Sequence, residues 1–276
     1  MSPSGSSVRP LARAIMAAVA VLALFLTAPA TLAAGPAGGS PTVGYDISYP
    51  QCGGPFPGNV AFGIVGVNKG IVFSPSPCLG TGDGPSELTW AGGVNAQLYA
   101  NTGNPGPVLS THWPTTQTSP DDCSAGVSQG FDTLECAYDY GWNAAGDSYK
   151  TAVNAYISLG LAPKGATSTP AANVWWLDVE TSNSWRTDVT LNVKALGGAV
   201  AYLQSVSHAG IGFYSTQYQW NQITGGTATF ASYPSWVAGA TTARQAANNC
   251  GGKAFTGGRV ALAQYFAKGF DADLRC

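Results

Sequence analysis

Seven short apolar runs, most of them closing on polar residues or glycine, constrain this chain more than any other feature. They are VGYDIS at 43–48, FGIVGVNKG at 62–70, NAQLYANTG at 95–103, NVWWLDVE at 173–180, IGFYST at 211–216, PSWVAGA at 234–240 and RVALAQYF at 259–266. Their near-continuous apolar character, without clean polar alternation, suits strands buried on both faces of a mainly parallel sheet. Helical patterns separate some of them. In residues 190–208, Leu196, Val200 and Leu203 fall at i, i+4 and i+7, with Asp188 or Thr190 able to cap the start. A second helical stretch spans 148–160 and stops at Gly160. The expectation is an α/β chain forming one domain at 43–276, an irregular (β/α) TIM-like barrel. Some of its connections are too short for helices. The stretch from Asn104 to Ala144 reads as a long insertion tied by a disulfide.

Residues 1–34 read as a secretory signal peptide: Arg9 and Arg13 precede the run AIMAAVAVLALFLTA, and the small-residue stretch ATLAA follows. GPAGGSPT at 35–42 reads as a flexible mature start. No later stretch is apolar and long enough to span a bilayer. The mature chain is therefore expected to be secreted, extracellular or held at a cell wall through its ligand, and to act as a monomer. Cys52, Cys78, Cys123, Cys136, Cys250 and Cys276 all lie in the mature part, an even count that reads as three disulfides. Six cysteines allow many pairings, and the sequence does not choose among them. The sequential pairing, Cys52 with Cys78, Cys123 with Cys136 and Cys250 with Cys276, is the one we expect. Their spacings do not suit a zinc site.

Without Arg9 and Arg13, 10 of the 12 basic residues remain against 14 acids. No cluster of Lys or Arg exists to neutralise a phosphate backbone, so a nucleic-acid partner is not expected. Only 9% of the chain is charged, and a surface rich in small polar and aromatic residues suits a neutral, hydroxyl-rich ligand.

Against that background the acids at strand ends stand out. Side chains alternate along a strand, so in NVWWLDVE Asp178 and Glu180 share one face while Val179 points away. At a barrel mouth, burial and mutual repulsion push their pKa values apart. One then holds a proton and the other stays charged, the division of labour that glycoside hydrolysis uses. Asp46 adds a third carboxyl at the end of the first strand; Lys69, Asn101, Tyr214, Ser215 and Gln264 also fall near strand ends. The competing reading is that the acids on 178 and 180 cap the following turn or pair with Arg186, and that Asp46 closes a turn with Ser48.

Taken in order, GYDIS, FGIVGVNKG, WWLDVE, GFYST, PSWVAGA and LAQYFAKGFDADL resemble the glycoside hydrolase family 25 lysozymes and their secreted actinobacterial relatives. These pieces run from Gly44 to Leu274. The resemblance implies an irregular, flattened barrel that cleaves the β-1,4 bond between N-acetylmuramic acid and N-acetylglucosamine in peptidoglycan. By motif, Glu180 matches the general acid, Asp178 the partner of the substrate's acetamido group, and Asp46 an aspartate of the same pocket. Tyr214, Trp236, Gln264 and Asp271 match positions that line the cleft or support it. Such chemistry needs no cofactor and no metal; the implied partner is a polysaccharide, peptidoglycan or a related amino-sugar glycan. The chain departs from the pattern in two places. No acid follows NKG, and the third strand ends YANTG, so that Tyr99 and Asn101 stand where the family carries an aromatic-His pair. These departures leave the acid in place and bear on the sugar bound. The alternatives are a barrel that binds wall glycan with little turnover, and a hydrolase of another polysaccharide.

Other motifs carry less. GVSQG at 126–130 has the string of a nucleophile elbow but no buried strand before its serine. His112 and His208 read as structural or surface residues, although His112 and Trp113 could line a sugar subsite. Tyr138 and Trp142, four apart, are expected on one helix face packed against the barrel.

Overall fold

The computed structural model describes residues 43–82, 84–124, 132–161 and 170–276. The expected signal peptide, the mature start at 35–42 and the GVSQG string lie outside the described residues.

In chain order the elements are β1 (Val43–Ile47), β2 (Gly63–Gly66), α1 (Glu87–Trp90), β3 (Gln97–Asn101), α2 (Leu134–Ser158), β4 (Trp175–Asp178), α3 (Val189–Val206), β5 (Ile211–Ser215), α4 (Gln217–Thr224), β6 (Ser235–Ala240), α5 (Ala243–Cys250), β7 (Val260–Ala267) and β8 (Phe270–Arg275). The eight strands close into a barrel in sequence order. β1 to β7 run parallel, and β8 runs antiparallel to both of its neighbours, β7 and β1. The expected α/β barrel is therefore present, with an eighth strand that the apolar runs did not announce.

β8 turns back because the two-residue connection Lys268–Gly269 has positive φ at both positions, 54° and 86°. That is the backbone of a tight hairpin whose twist matches the flanking strands.

Strand alternation divides the core into two layers. Outside the barrel, Ile47, Val65, Leu98, Trp175, Leu177, Val179 and Phe213 pack under the helices in the main cluster. Inside it, Phe62, Ile64, Trp176, Trp236 and Leu262 form a separate cluster, joined by Tyr99 and Tyr214. Glycines make room for these rings. A Cβ on Gly212 would stand 2.3 Å from the Trp176 ring, and one on Gly66 would stand 2.6 Å from Tyr99. Leu177 and Val179 therefore face outward, and Asp178 faces inward, as the alternation predicts.

α3 begins where expected, with Asp188 accepting from the Thr190 N–H at 2.9 Å. α2 is longer than its predicted segment. It starts at Leu134 behind a Thr133 cap, so the last part of the expected insertion is three turns of regular helix. Tyr138 and Trp142 pack against α3 rather than against the barrel: Trp142 meets Tyr202 edge-on at 5.2 Å, and the Tyr138 backbone lies against Gly198. The disulfides pair sequentially, Cys52–Cys78, Cys123–Cys136 and Cys250–Cys276. The second ties the irregular segment to the first turn of α2, and the third ties α5 to the residue after β8. Among the described residues no helix is long and apolar enough to cross a membrane.

Candidate active site

The C-terminal ends of β1 to β7 and the N-terminal end of β8 form one mouth, and acids from three strands enter it. Asp178 is the last residue of β4 and only 4% exposed. Its Oδ2 accepts from Asn101 Nδ2 at 2.5 Å, and its Oδ1 has no hydrogen-bond partner. Its backbone carbonyl accepts from the Thr102 backbone N–H at 3.1 Å and from the Thr102 hydroxyl at 2.5 Å, which fixes the strand end. Glu180, two residues on, is half-buried and hydrogen-bonded to Gln219 of α4. Its carbonyl accepts from Trp185 Nε1 at 2.8 Å and from the Asn183 N–H at 3.2 Å, which curls the chain behind it.

Asp46 enters from β1. Its Oδ2 accepts from Gln264 Nε2 at 2.9 Å, and Gln264 Oε1 accepts from the Tyr214 hydroxyl at 2.8 Å. Asp271, opposite Asp46 on β8, is exposed at the rim. Tyr99 lies within the field of Asp46 and Asp178, with its hydroxyl hydrogen-bonded to Ser48.

Burial dominates the electrostatics. It pushes Asp46 up to about 7, with Asp271 adding to the shift and Gln264 opposing it. It raises Asp178 well above the usual carboxylate range, with the charge of Glu180 adding to the shift and Asn101 opposing it. Glu180 also rises through burial, with Gln219 restraining the rise, and Asp271, exposed as a residue, rises because its carboxyl is partly desolvated at the rim. No cation relieves the cluster: among the described residues the one ion pair joins Arg186 to Asp132, away from the mouth. Where the sequence reading expects one acid protonated and the other charged, burial drives both toward the neutral form, and Asp178 harder because it lies deeper and the charge of Glu180 adds to the shift.

The mouth brings together Asp46, Asp178, Glu180, Tyr99, Tyr214, Gln264 and Asp271. It does not hold every residue expected there. Trp236 is 1% exposed, so it forms the floor and cannot be a sugar platform. Its ring packs on Tyr214 at 4.5 Å and Trp176 at 5.8 Å. Asn101 is buried and acts through Asp178. Lys69 is exposed on a turn closed by its own N–H and the Ser74 carbonyl at 2.6 Å. Ser215 is fully buried and donates to the Val179 carbonyl at 2.7 Å. The competing pairing with Arg186 is absent, since that guanidinium is engaged by Asp132.

Two residues escaped the sequence reading. Gln219 gave no signal, being one of several amides in a short helix. Asp273 did give one: FDADL repeats the two-residue acid spacing of LDVE. Asp273 is fully buried beneath Asp46 and accepts from Trp236 Nε1 at 2.8 Å.

A cleft of about 190 Å³ is lined by Phe73, Thr102, Gly103, Leu109, His112 and Asn183 among others; none of the acids lines it, and it adjoins them only through Thr102 and Asn183. His112 stacks flat on Phe73 at 4.1 Å, whereas Trp113 is buried against Tyr140. His208 is exposed beyond α3.

Comparison with known proteins adds an independent finding. The family described as "Lysozyme-like protein 1" matches residues 164–250, a span that carries Asp178, Glu180, Tyr214, Gln219 and Trp236. In fold the chain resembles a GH25 lysozyme. The structure of a family GH25 lysozyme from Aspergillus fumigatus superposes with a TM-score of 0.52 at 14% identity, covering 86% of this chain and 94% of that one. A muramidase from Trichobolus zukalii gives 0.49 at 15% identity, covering 85% and 93%. A relative in sequence, the probable GH family 25 lysozyme 4 of Dictyostelium discoideum, is 41% identical over 63 residues, 23% of this chain. That match spans 29% of the relative's length.

Proposed function

We propose that this chain is a secreted glycoside hydrolase that cleaves β-1,4 bonds in peptidoglycan or a related amino-sugar glycan. One observation carries the reading: Asp46, Asp178 and Glu180 converge at a single barrel mouth, and among the described residues no ion pair neutralises them. The likeness to lysozymes in sequence and in fold supports it, and so does the layout of residues 1–34, which has the form of a secretory leader.

In this reading Glu180, half-buried and open to the mouth, gives its proton to the leaving glycosidic oxygen as the bond to the anomeric carbon breaks. Burial keeps that proton available toward neutral pH. The partnerless Oδ1 of Asp178 accepts from the N–H of the sugar's acetamido group. That contact orients the acetamido oxygen to bond the anomeric carbon as the leaving oxygen departs; water then displaces it at that carbon and returns a proton to Glu180. Asn101 fixes Asp178 from behind. Asp46, held by Gln264 and Tyr214, meets hydroxyls on the other side of the ring. None of these steps calls on a cofactor.

Replacing Glu180 with Gln tests the assignment. Release of reducing ends from purified wall glycan should vanish while the fold and wall binding persist; undiminished release would sink it. A second reading, a wall-binding barrel with little turnover, draws on the 4% exposure of Asp178, which leaves it little surface for a sugar. Retention on wall glycan by the wild-type protein without new reducing ends would favour that reading.

A further inference from the structure

The barrel holds one acid that the proposed chemistry leaves unused. Asp273 is 0% exposed. One of its oxygens accepts from Trp236 Nε1 at 2.8 Å, and the other, Oδ2, receives no hydrogen bond from any donor. Strand register fixes what lies beside it. Asp46 stands opposite Asp271 across the β1–β8 ladder, so Asp273, two residues along on the same face, is its diagonal neighbour. On the other side Asp273 stands opposite Gln264, whose amide donates to Asp46 at 2.9 Å. The two carboxyls meet as hydrogen-bond partners. Two carboxylates have no hydrogen to put between them, so this contact exists only when one of the pair is protonated.

We propose that Asp273 is a positioning residue that keeps its proton and donates it to Asp46, so that the pair carries at most one negative charge. The donors available match one charge and not two: Gln264 serves Asp46 and Trp236 serves Asp273. The ionisable groups that act on the pair are Asp271 on β8, Tyr265 on β7, Glu180 beyond β4 and, through Asp46, Asp178 on β4, Tyr99 on β3 and Tyr214 on β5. All are acids or tyrosines, so every neighbour opposes a second charge. The Asp273 proton holds the Asp46 carboxyl against β8 and presents its Gln264-bonded edge to the mouth. A second charge would drive the two apart. The consequence for sugar binding rests on the hydrolase reading above; the Asp273 proton does not.

The pair also ties stability to pH. A carboxyl kept neutral in the barrel but ionised in the unfolded chain binds more protons when folded. Its contribution is therefore full below about pH 4, the unfolded value, and is lost as pH rises through the folded one.

The test uses the full disulfide-bonded protein, without substrate, labelled with ¹³C at aspartate carboxyls. In the wild type, Asp46 should titrate with a midpoint of about 7. Asp273→Asn keeps both contacts, accepting from Trp236 and donating to Asp46, so the Asp46 midpoint should stay near about 7. Asp273→Leu removes the donor and should raise the Asp46 midpoint above the wild-type value, because the charged form of Asp46 loses a hydrogen bond. If Asp273→Leu does not fold, the Asp273 carboxyl of the wild type reads the same pair and should stay protonated through the Asp46 step. A wild-type Asp46 that titrates in the ordinary carboxylate range, an Asp46 midpoint that falls clearly on Asp273→Asn, or an Asp273 that ionises before Asp46, overturns the proposal. Hydrolysis is not read here, so failure of the enzymatic assignment leaves this result interpretable.

Discussion

β8 carries two acids spaced two residues apart, as does β4 together with the residues just after it, and the two bury them in opposite order. On β4 the chain runs toward the mouth, so Asp178 is deep and Glu180 lies at the rim. On β8 the chain runs away from it, so Asp271 is at the rim and Asp273 is deep. Depth, and not order in the sequence, sets the outcome. The deep members, Asp178 and Asp273, are both held well above the usual carboxylate range by burial, while the rim members rise less steeply. Each deep acid has one oxygen served by a neutral donor, Asn101 or Trp236, and one with no donor. The strands differ in what stands beyond. Glu180 is backed by Gln219 and only half-buried at the mouth, which suits it to pass on a proton. Asp271 has no such backing.

Substitutions should separate these roles by size of effect. Glu180→Gln should cost the most, on the order of 10²–10⁴-fold in kcat for glycan hydrolysis, the usual worth of a positioned general acid. Circular dichroism should remain unchanged. Asp178→Asn keeps an acceptor for Asn101 but removes the carboxyl, and should lower kcat on the order of 10²-fold, the lower end of what one preorganised electrostatic contact contributes. If it costs as little as a rim substitution on β8, the functional distinction between the two strands fails. Trp236→Phe keeps most of the ring but strips Asp273 of its donor, which should cost about 1–3 kcal/mol of stability in urea unfolding, the penalty for an orphaned buried acceptor. Asp132→Asn breaks the exposed pair with Arg186 and should cost less than about 1 kcal/mol, a reference for an acid outside the barrel.

The same comparison explains what the sequence disclosed. β1 to β7 were legible because their outward faces are apolar and their inward faces, apart from the mouth residues, are apolar or aromatic. β8 was not. Its inward face carries Asp271 and Asp273 and it ends in Arg275, so only Phe270, Ala272 and Leu274 supply hydrophobic signal. Its turn is Lys268–Gly269, which lacks the Asn or Asp that usually marks such a hairpin. α2 was half-read for a related reason: Cys136, Asp139, Tyr140 and Gly141 are buried on its first turns, and polar or small residues packed against α3 resemble an irregular insertion when read in one dimension. The acids at 46, 178 and 180 were legible because alternation from a well-marked strand places them. Trp236 was misplaced because strand position gives a side chain's face but not its depth. Asp273 would have followed from the spacing rule already applied to β4, had β8 been recognised as a strand.

The most direct measurement is the identity of the new chain end. Purified peptidoglycan treated with the protein, reduced with borohydride and resolved by mass spectrometry should yield reduced N-acetylmuramic acid at the new ends with the wild type and none with Glu180→Gln. Equal yields from both proteins, or no new ends from a wild-type protein that stays bound to the wall, would contradict the account.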